Sequence, residues 1–147
     1  MPNRQSHWVD RATAQLRSAG HRRGSARTAV IELLDRKPCA VTAQTLHDEL
    51  KSRGQPVGLA SVYRVLDTLV ANGLVQRLDL GDGVTRYEPT RTDEDHHHHL
   101  VCDDCGKVEA FADDRLERAI RDLEKRSGYA VAAHDVVLRG ACATCRA

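Results

Sequence analysis

Two short cysteine pairs, Cys102-Asp-Asp-Cys105 and Cys142-Ala-Thr-Cys145, constrain this chain more than any other feature, and a run of four histidines stands just before the first of them. Four of the five cysteines and five of the eight histidines lie after residue 95. Each CxxC turn brings two thiolates close enough to grip one tetrahedral ion, and two such turns complete a four-cysteine shell. A closed shell of this kind leaves no open position for water, so the ion it predicts is a structural Zn2+ that staples the last strand to the first. The competing reading is a redox pair with two incidental cysteines, and the matching spacing of the two pairs weighs against it. In small units the free energy of metal binding is folding free energy, ~10–16 kcal/mol in zinc-finger peptides.

If His96-His97-His98-His99 lies on a strand, successive side chains face opposite ways. His96 and His98 then point to one side and His97 and His99 to the other, so a single run serves two metal ions. A polar exposed run is the alternative. Further ligands have to come from elsewhere. Taken singly, His134 is equally a core histidine, Glu117 equally a solvated or salt-bridged helix acid, and Glu88 equally an ordinary acid at a strand end.

The rest of the 147 residues divides in two by charge. Residues 1–90 hold 13 Lys/Arg against 9 Asp/Glu, a balance of +4, while residues 91–147 hold 9 against 12, a balance of −3. The basic half suits an anionic partner. Aromatic residues make up only 3%, so any core is aliphatic. No apolar run approaches the ~20 residues of a membrane helix, and the first residues do not read as a secretion signal. A soluble, cytoplasmic protein with no membrane partner is expected.

Apolar periodicity predicts helices over residues 7–18, from Ser25 (as cap) toward Pro38, from Thr42 to Gly54, and from Leu59 to Asn72. Strands over Leu74–Leu80 and Val84–Glu88 then flank the tight turn Gly81-Asp82-Gly83. Helices followed by a hairpin make a winged helix-turn-helix over residues 1–88, with the last helix as the recognition candidate. Val62, Leu66 and Leu69 face its core side, which turns Ser61, Tyr63, Arg64 and Thr68 outward. Tyr63 suits a thymine methyl and Arg64 suits phosphate or guanine, while Arg22, Arg23 and Arg27 suit backbone phosphates. A merely solvated helix face is the alternative. Residues 89–95 (PTRTDED) read as a hinge. Beyond it, residues 96–147 predict strands near His96–Val101, Lys107–Phe111 and Tyr129–Leu138, with a helix over Asp114–Ser127 whose stripe is Leu116, Ile120 and Leu123.

Three segments, VGLASVYRVLDTLVANGLV (Val57–Val75), HHHHLVCDDCGKVEAF (His96–Phe111) and GACATC (Gly140–Cys145), resemble the ferric-uptake-regulator family of metal-dependent transcriptional repressors. The resemblance spans about residues 20–146. It implies an α+β chain, with the winged helix followed by an α/β dimerisation domain whose mixed sheet crosses the two-fold axis of a homodimer. It implies structural zinc at Cys102, Cys105, Cys142 and Cys145, and a second metal site at His96, His98, Glu117 and His134. It also implies a sensing site between the domains at Glu88, His97 and His99. Iron and peroxide sensors of the family place a histidine just before the third helix, where this chain has Ala40 beside Cys39. Actinobacterial-type zinc sensors place Asp and Cys around the wing, where Gln76 and Thr90 stand here. The sensing site then has three protein ligands completed by water, or recruits Cys39. The usual Thr-Pro-Gln-Arg opening of the second helix is replaced by Gly24-Ser25-Ala26-Arg27.

The function expected is a metal-responsive repressor of zinc- or iron-uptake genes, binding a double-stranded operator with inverted symmetry. The regulatory ion is Zn2+ or Fe2+, with Ni2+ and Mn2+ also suited to nitrogen-rich ligation. The alternatives are a peroxide-responsive repressor of the same family, a structural-zinc DNA-binding protein without sensing, and a zinc hydrolase. Against the hydrolase, the sequence has no HExxH motif and no nucleophile–base arrangement, so no enzyme is expected.

Overall fold

The computed structural model describes residues 4–91 and 96–147. The chain divides into two compact units, Met1–Glu94 and Asp95–Ala147.

In the first unit the helical periodicity becomes α1 (Arg4–Ser18), α2 (Ser25–Asp35), α3 (Ala43–Ser52) and α4 (Leu59–Ala71). Residues spaced one turn apart supply the core: Leu46 and Leu50 from α3, and Val62, Leu66 and Leu69 from α4, packed with Leu33 and Leu34 of α2. Trp8, Ala12 and Leu16 close it from α1. Thr42 caps α3, its hydroxyl accepting from the Thr45 N–H at 3.0 Å, which satisfies a donor the helix itself leaves open. Asn72 ends α4, and Gly73 follows with φ of 68°, a left-handed conformation that a side chain would oppose. One helix start differs from expectation. Ser25 is the first residue of α2 rather than its cap; the cap is Gly24, which offers no side-chain hydrogen bond to the first turn.

Strands β1 (Val75–Asp79) and β2 (Thr85–Pro89) pair antiparallel, with Gln76 opposite Glu88, and a bridge from Val41 to Tyr87 adds a third rung. The first strand is two residues shorter than its sequence signal and the second starts and ends one residue later, and the turn between them is built by side chains. Asp79 Oδ1 accepts from Gly81 N at 2.9 Å, and Asp82 Oδ1 accepts from Val84 N at 3.1 Å. The Asp82 carboxylate also takes two N–H groups of Arg86, at 3.0 and 2.8 Å. These helices and this hairpin form a winged helix-turn-helix. The chain leaving β2 is tied back to it: Thr90 N–H donates to Leu74 O at 2.9 Å, Arg11 donates to Thr90 O, and Arg91 donates to the side chain and backbone of Asp35 at 3.1 Å each. Residues 89–91 of the expected hinge are therefore bonded within the first unit, and 92–95 lie outside the described residues.

The second unit runs β3 (His98–Cys102), β4 (Val108–Phe111), α5 (Asp114–Ser127), β5 (Val137–Gly140) and α6 (Ala143–Arg146). The sheet order is β4-β3-β5, with β3 antiparallel to β4 and parallel to β5. Asp113 caps α5 by accepting from the N–H groups of Arg115 and Leu116 at 2.8 and 3.1 Å. Three expectations shift here. The strand expected from His96 begins at His98. The strand expected over Tyr129–Leu138 is confined to Val137–Gly140, because its register against β3 runs out at His99 opposite Val137; His134 therefore precedes the strand instead of lying in it. The stripe on α5 is only partly covered by the described residues: Leu116 and Ile120 are half-buried, and Leu123 is 57% exposed. No helix among the described residues is long and apolar enough to cross a membrane.

Candidate metal centres and nucleic-acid interface

The two CxxC turns meet because the strands that carry them are neighbours. Cys102 ends β3, and the turn after it closes with Gly106 N–H donating to Cys102 O at 2.9 Å. Cys142 caps α6, beyond β5. Between them, Asp103 N–H donates to Gly140 O at 2.8 Å. The four sulfurs lie within 4.8 Å of one another, and Cys105 Sγ and Cys142 Sγ are 3.8 Å apart. A tetrahedral shell with Zn–S bonds of ~2.3 Å has sulfur–sulfur edges of ~3.8 Å, so this set fits zinc. All four are free thiols. The backbone N–H of Cys142, 3.2 Å from Cys102 Sγ, leads the donors that lower the Cys102 pKa to about 6. Cys145 is pushed up to about 12, first by the Cys142 sulfur beside it. Neighbouring thiolates resist one another in this way until a cation binds among them.

The second cluster is a carboxylate held by imidazoles. Glu117 lies in the first turn of α5, where Oε1 is 2.6 Å from His98 Nε2 and Oε2 is 2.9 Å from His134 Nε2. His96 Nε2 stands 3.2 Å from His134 Nε2 and 3.8 Å from Glu117 Oε1. The hydrogen bond from His98, then the charge of His134, holds the Glu117 carboxyl below its ordinary range. Val136 N–H donates to His98 Nδ1 at 3.2 Å, which fixes that ring and turns its Nε2 to the carboxylate. Three nitrogens and a carboxylate oxygen, all within 4.8 Å, form a tetrahedral-type donor set suited to zinc or another divalent transition metal.

The other two histidines pair with each other, His97 and His99 having ring centroids 5.1 Å apart, against 4.6 Å for His96 and His98. In the first unit Glu88 is buried on β2, and the Gln76 amide donates to its Oε2 at 3.4 Å. Sequence reasoning marks Gln76 only as a missing ligand; its place opposite Glu88 in the hairpin register is the signal that it touches the acid. Cys39 is buried ahead of Val41.

On α4, Tyr63 and Arg64 are exposed and Ser61 and Thr68 half-buried, between the buried Val62, Val65, Leu66 and Leu69. Arg64 donates to Ser61 Oγ at 2.8 Å, and Thr68 Oγ1 donates to Arg64 O at 2.9 Å. Asp67 pairs with Arg77 of β1, tying the wing to this helix. Arg22 and Arg23 are exposed and Arg27 is half-buried.

A winged helix-turn-helix with two metal-donor clusters in a separate unit matches a known pattern over most of its length: the family model described as the ferric uptake regulator family covers residues 18–139. The chain belongs to that family. The ferric uptake regulation protein of Bacillus subtilis (strain 168) is 32% identical over 139 residues, 93% of this chain and 93% of that protein. The zinc uptake regulation protein of Mycobacterium tuberculosis is 36% identical over 129 residues, 88% of this chain and 98% of that protein. The crystal structure of the Vibrio cholerae ferric uptake regulator aligns with a TM-score of 0.75 at 33% identity, over 86% of this chain and 96% of that one. Members of the ferric uptake regulator family are metal-responsive, dimeric, DNA-binding repressors of metal-uptake genes, and this chain is one of them.

Proposed function

We propose that this repressor controls zinc or iron uptake and that its three histidine- and cysteine-based donor sets divide the work. Cys102, Cys105, Cys142 and Cys145 hold a structural Zn2+. His96, His98, Glu117 and His134 hold a second ion. Glu88 with His97 and His99 forms the sensing site, where Zn2+ or Fe2+ links the winged-helix domain (residues 1–88), across the hinge (89–95), to the dimerisation domain (96–147). The observation that carries this reading is the sorting of the four consecutive histidines into two pairs, one of them already gathered with Glu117 and His134. One run of sequence thus offers two separate donor sets.

A regulatory ion changes operator affinity only by binding the DNA-competent arrangement more tightly than the open one. Fixing two winged helices of a dimer relative to each other sets the distance between recognition helices, and with it the half-site spacing of a two-fold operator. Ser61, Tyr63, Arg64 and Thr68 read the major groove, while Arg22, Arg23 and Arg27 neutralise phosphates. The apolar side chains left uncovered in the second unit, Leu123, Tyr129 and Val131 among them, are where the two copies meet. The protein acts in the cytoplasm and performs no catalysis.

The test is operator binding after the regulatory metal is chelated with the four-cysteine zinc retained, then restored one ion at a time. Zinc or iron(II) is expected to restore tight binding. Equal affinity of the chelated and reloaded protein would reduce the function to that of a structural-zinc DNA-binding protein.

A further inference from the structure

We propose that His47 is a positioning residue for sequence recognition: from α3 it fixes the turn out of which α4 starts, and so sets which bases the protein prefers. The proposal rests on the reading of α4 as the recognition helix. His47 is half-buried on α3, beside the buried Leu46 and one turn before the buried Leu50. Its Nδ1 lies 2.8 Å from Val57 O. A carbonyl oxygen only accepts, so Nδ1 carries the proton and the ring donates. The bond therefore joins α3 to the peptide unit that leads into Gly58, the cap of α4.

The rest of the turn leaves this angle to be set. Gly54 N–H donates to Lys51 O at 3.2 Å and Gln55 N–H donates to Leu50 O at 3.0 Å, a helix-ending pair of bonds that holds residues 54 and 55 on α3. Pro56 has no N–H to give. Gly58 offers α4 no side-chain cap, and its carbonyl accepts the first intrahelical bond, from Val62 N–H at 3.0 Å. Glycine is the residue whose backbone turns most freely, so the entry of α4 follows whatever holds the peptide before it. Val57 and Leu59 pack on the core, an attraction without direction. The bond from His47 has direction. It fixes the plane of the Val57–Gly58 peptide, and with it the rotation of the first two turns of α4, which carry Ser61, Tyr63 and Arg64. Base edges are read only within a fraction of an ångström, ~0.5 Å for a built site. Arg22, Arg23 and Arg27 belong to the approach to α2 and its first turn, so their phosphate contacts do not pass through this turn. Loosening it should cost specificity and spare sequence-independent binding.

Two substitutions in the full-length, metal-loaded protein test this. Asn carries Nδ2 as many bonds from Cβ as the Nδ1 it replaces, so His47→Asn keeps the donor; His47→Leu fills similar space without one. Leu is the better helix former of the two, so a purely structural role for position 47 would favour His47→Leu. The proposal requires the opposite order in binding. The probes are a duplex selected from a random library by the wild-type protein and the same duplex shuffled. His47→Leu is expected to lose about tenfold in affinity for the selected duplex, the worth of one base-edge contact, and nothing for the shuffled one. His47→Asn should stay within about threefold of wild type on both. His47→Ala, which also lacks the donor, should repeat the result of His47→Leu. Wild-type affinity of His47→Leu and His47→Ala for the selected duplex overturns the proposal, as does an equal loss on both duplexes or a larger loss in His47→Asn. Arg64→Ala, measured alongside, separates this failure from that of the underlying reading. If Arg64→Ala loses affinity while the His47 variants do not, only the positioning role falls; if Arg64→Ala binds like wild type, α4 is not the reading helix and the role falls with it.

Discussion

Leu34, Leu46, Leu66 and Leu69 of the first unit have no exposed surface, and a continuous aliphatic cluster runs from α1 through α4 to the wing. Among the described residues of the second unit, the buried side chains are His98, His99, Val101 and Cys102. Three of those four are metal-ligand types, and α5 contributes none. The two halves are therefore stabilised by different physics. The first excludes water from apolar surface, at roughly 25 cal/mol per Å². The second is too small and too open to do that alone, and on the proposed reading bound ions and a second copy of the chain supply the rest.

The sharpest way to break that contrast is to remove the staple. Cys142→Ser is expected to unfold the second unit, with hydrogen-exchange protection lost across β3 to β5, since structural zinc contributes ~10–16 kcal/mol in model peptides. The sole tryptophan, Trp8, sits in the first unit, 3% exposed and donating to Leu74 O at 3.2 Å, so its emission should stay unchanged. A simultaneous shift of tryptophan emission would show that the units do not stand apart. The reverse experiment is Leu66→Ala, which opens a cavity in the apolar core. A loss of about 2–5 kcal/mol in the Trp8-detected transition is expected, with the zinc content of the purified protein unaltered.

The same contrast governs what the sequence reveals. The first unit is legible almost element by element, because leucines one turn apart and the Thr42 and Asn72-Gly73 signals act locally. The CxxC turns and the alternating histidines are legible for the same reason, since short-range spacing fixes their geometry. Joining Glu117 and His134 to His96 and His98 needs the family resemblance, because the register that brings α5 and the approach to β5 beside β3 is long-range. The final strand reads too long in sequence because β-branched residues such as Val131 and Val136 mark a strand-forming segment but not the neighbour it pairs with. The α2 cap differs by one residue, since Ser25 is a good cap by type yet the helical backbone already begins there, which leaves the extended Gly24 as the cap.

Smaller effects sharpen the comparison within the first unit. Arg64→Ala on α4 is expected to cost about 1–3 kcal/mol of operator binding, read by fluorescence anisotropy, with metal content and the Trp8 transition unmoved. A shifted transition would mean that the bond from Arg64 to Ser61 Oγ stabilises the helix and does not merely present it.

The smallest effect is a pH dependence in the wing. The two N–H groups that Arg86 gives to Asp82 lead the causes that hold its carboxyl at about 2, below the ordinary 3.8. A depressed carboxylate stabilises the folded state fully above its unfolded pKa, and the contribution is lost as pH falls through the folded value. The loss should therefore begin below about pH 4 and continue toward pH 2. The pair is a single turn-closing contact near the surface, so its size should be under ~1 kcal/mol. Acid also strips zinc from thiolates, so a global probe would mix the two units. Trp8 emission during urea unfolding at pH 5 and pH 3 isolates the first. Asp82→Asn should lower the midpoint at pH 5 and flatten its change between the two pH values, because the neutral amide has no proton to gain. An equal pH response in both proteins would assign the acid sensitivity to other carboxylates of the unit, with Glu49, held low chiefly by its bond from Lys37, the next to substitute.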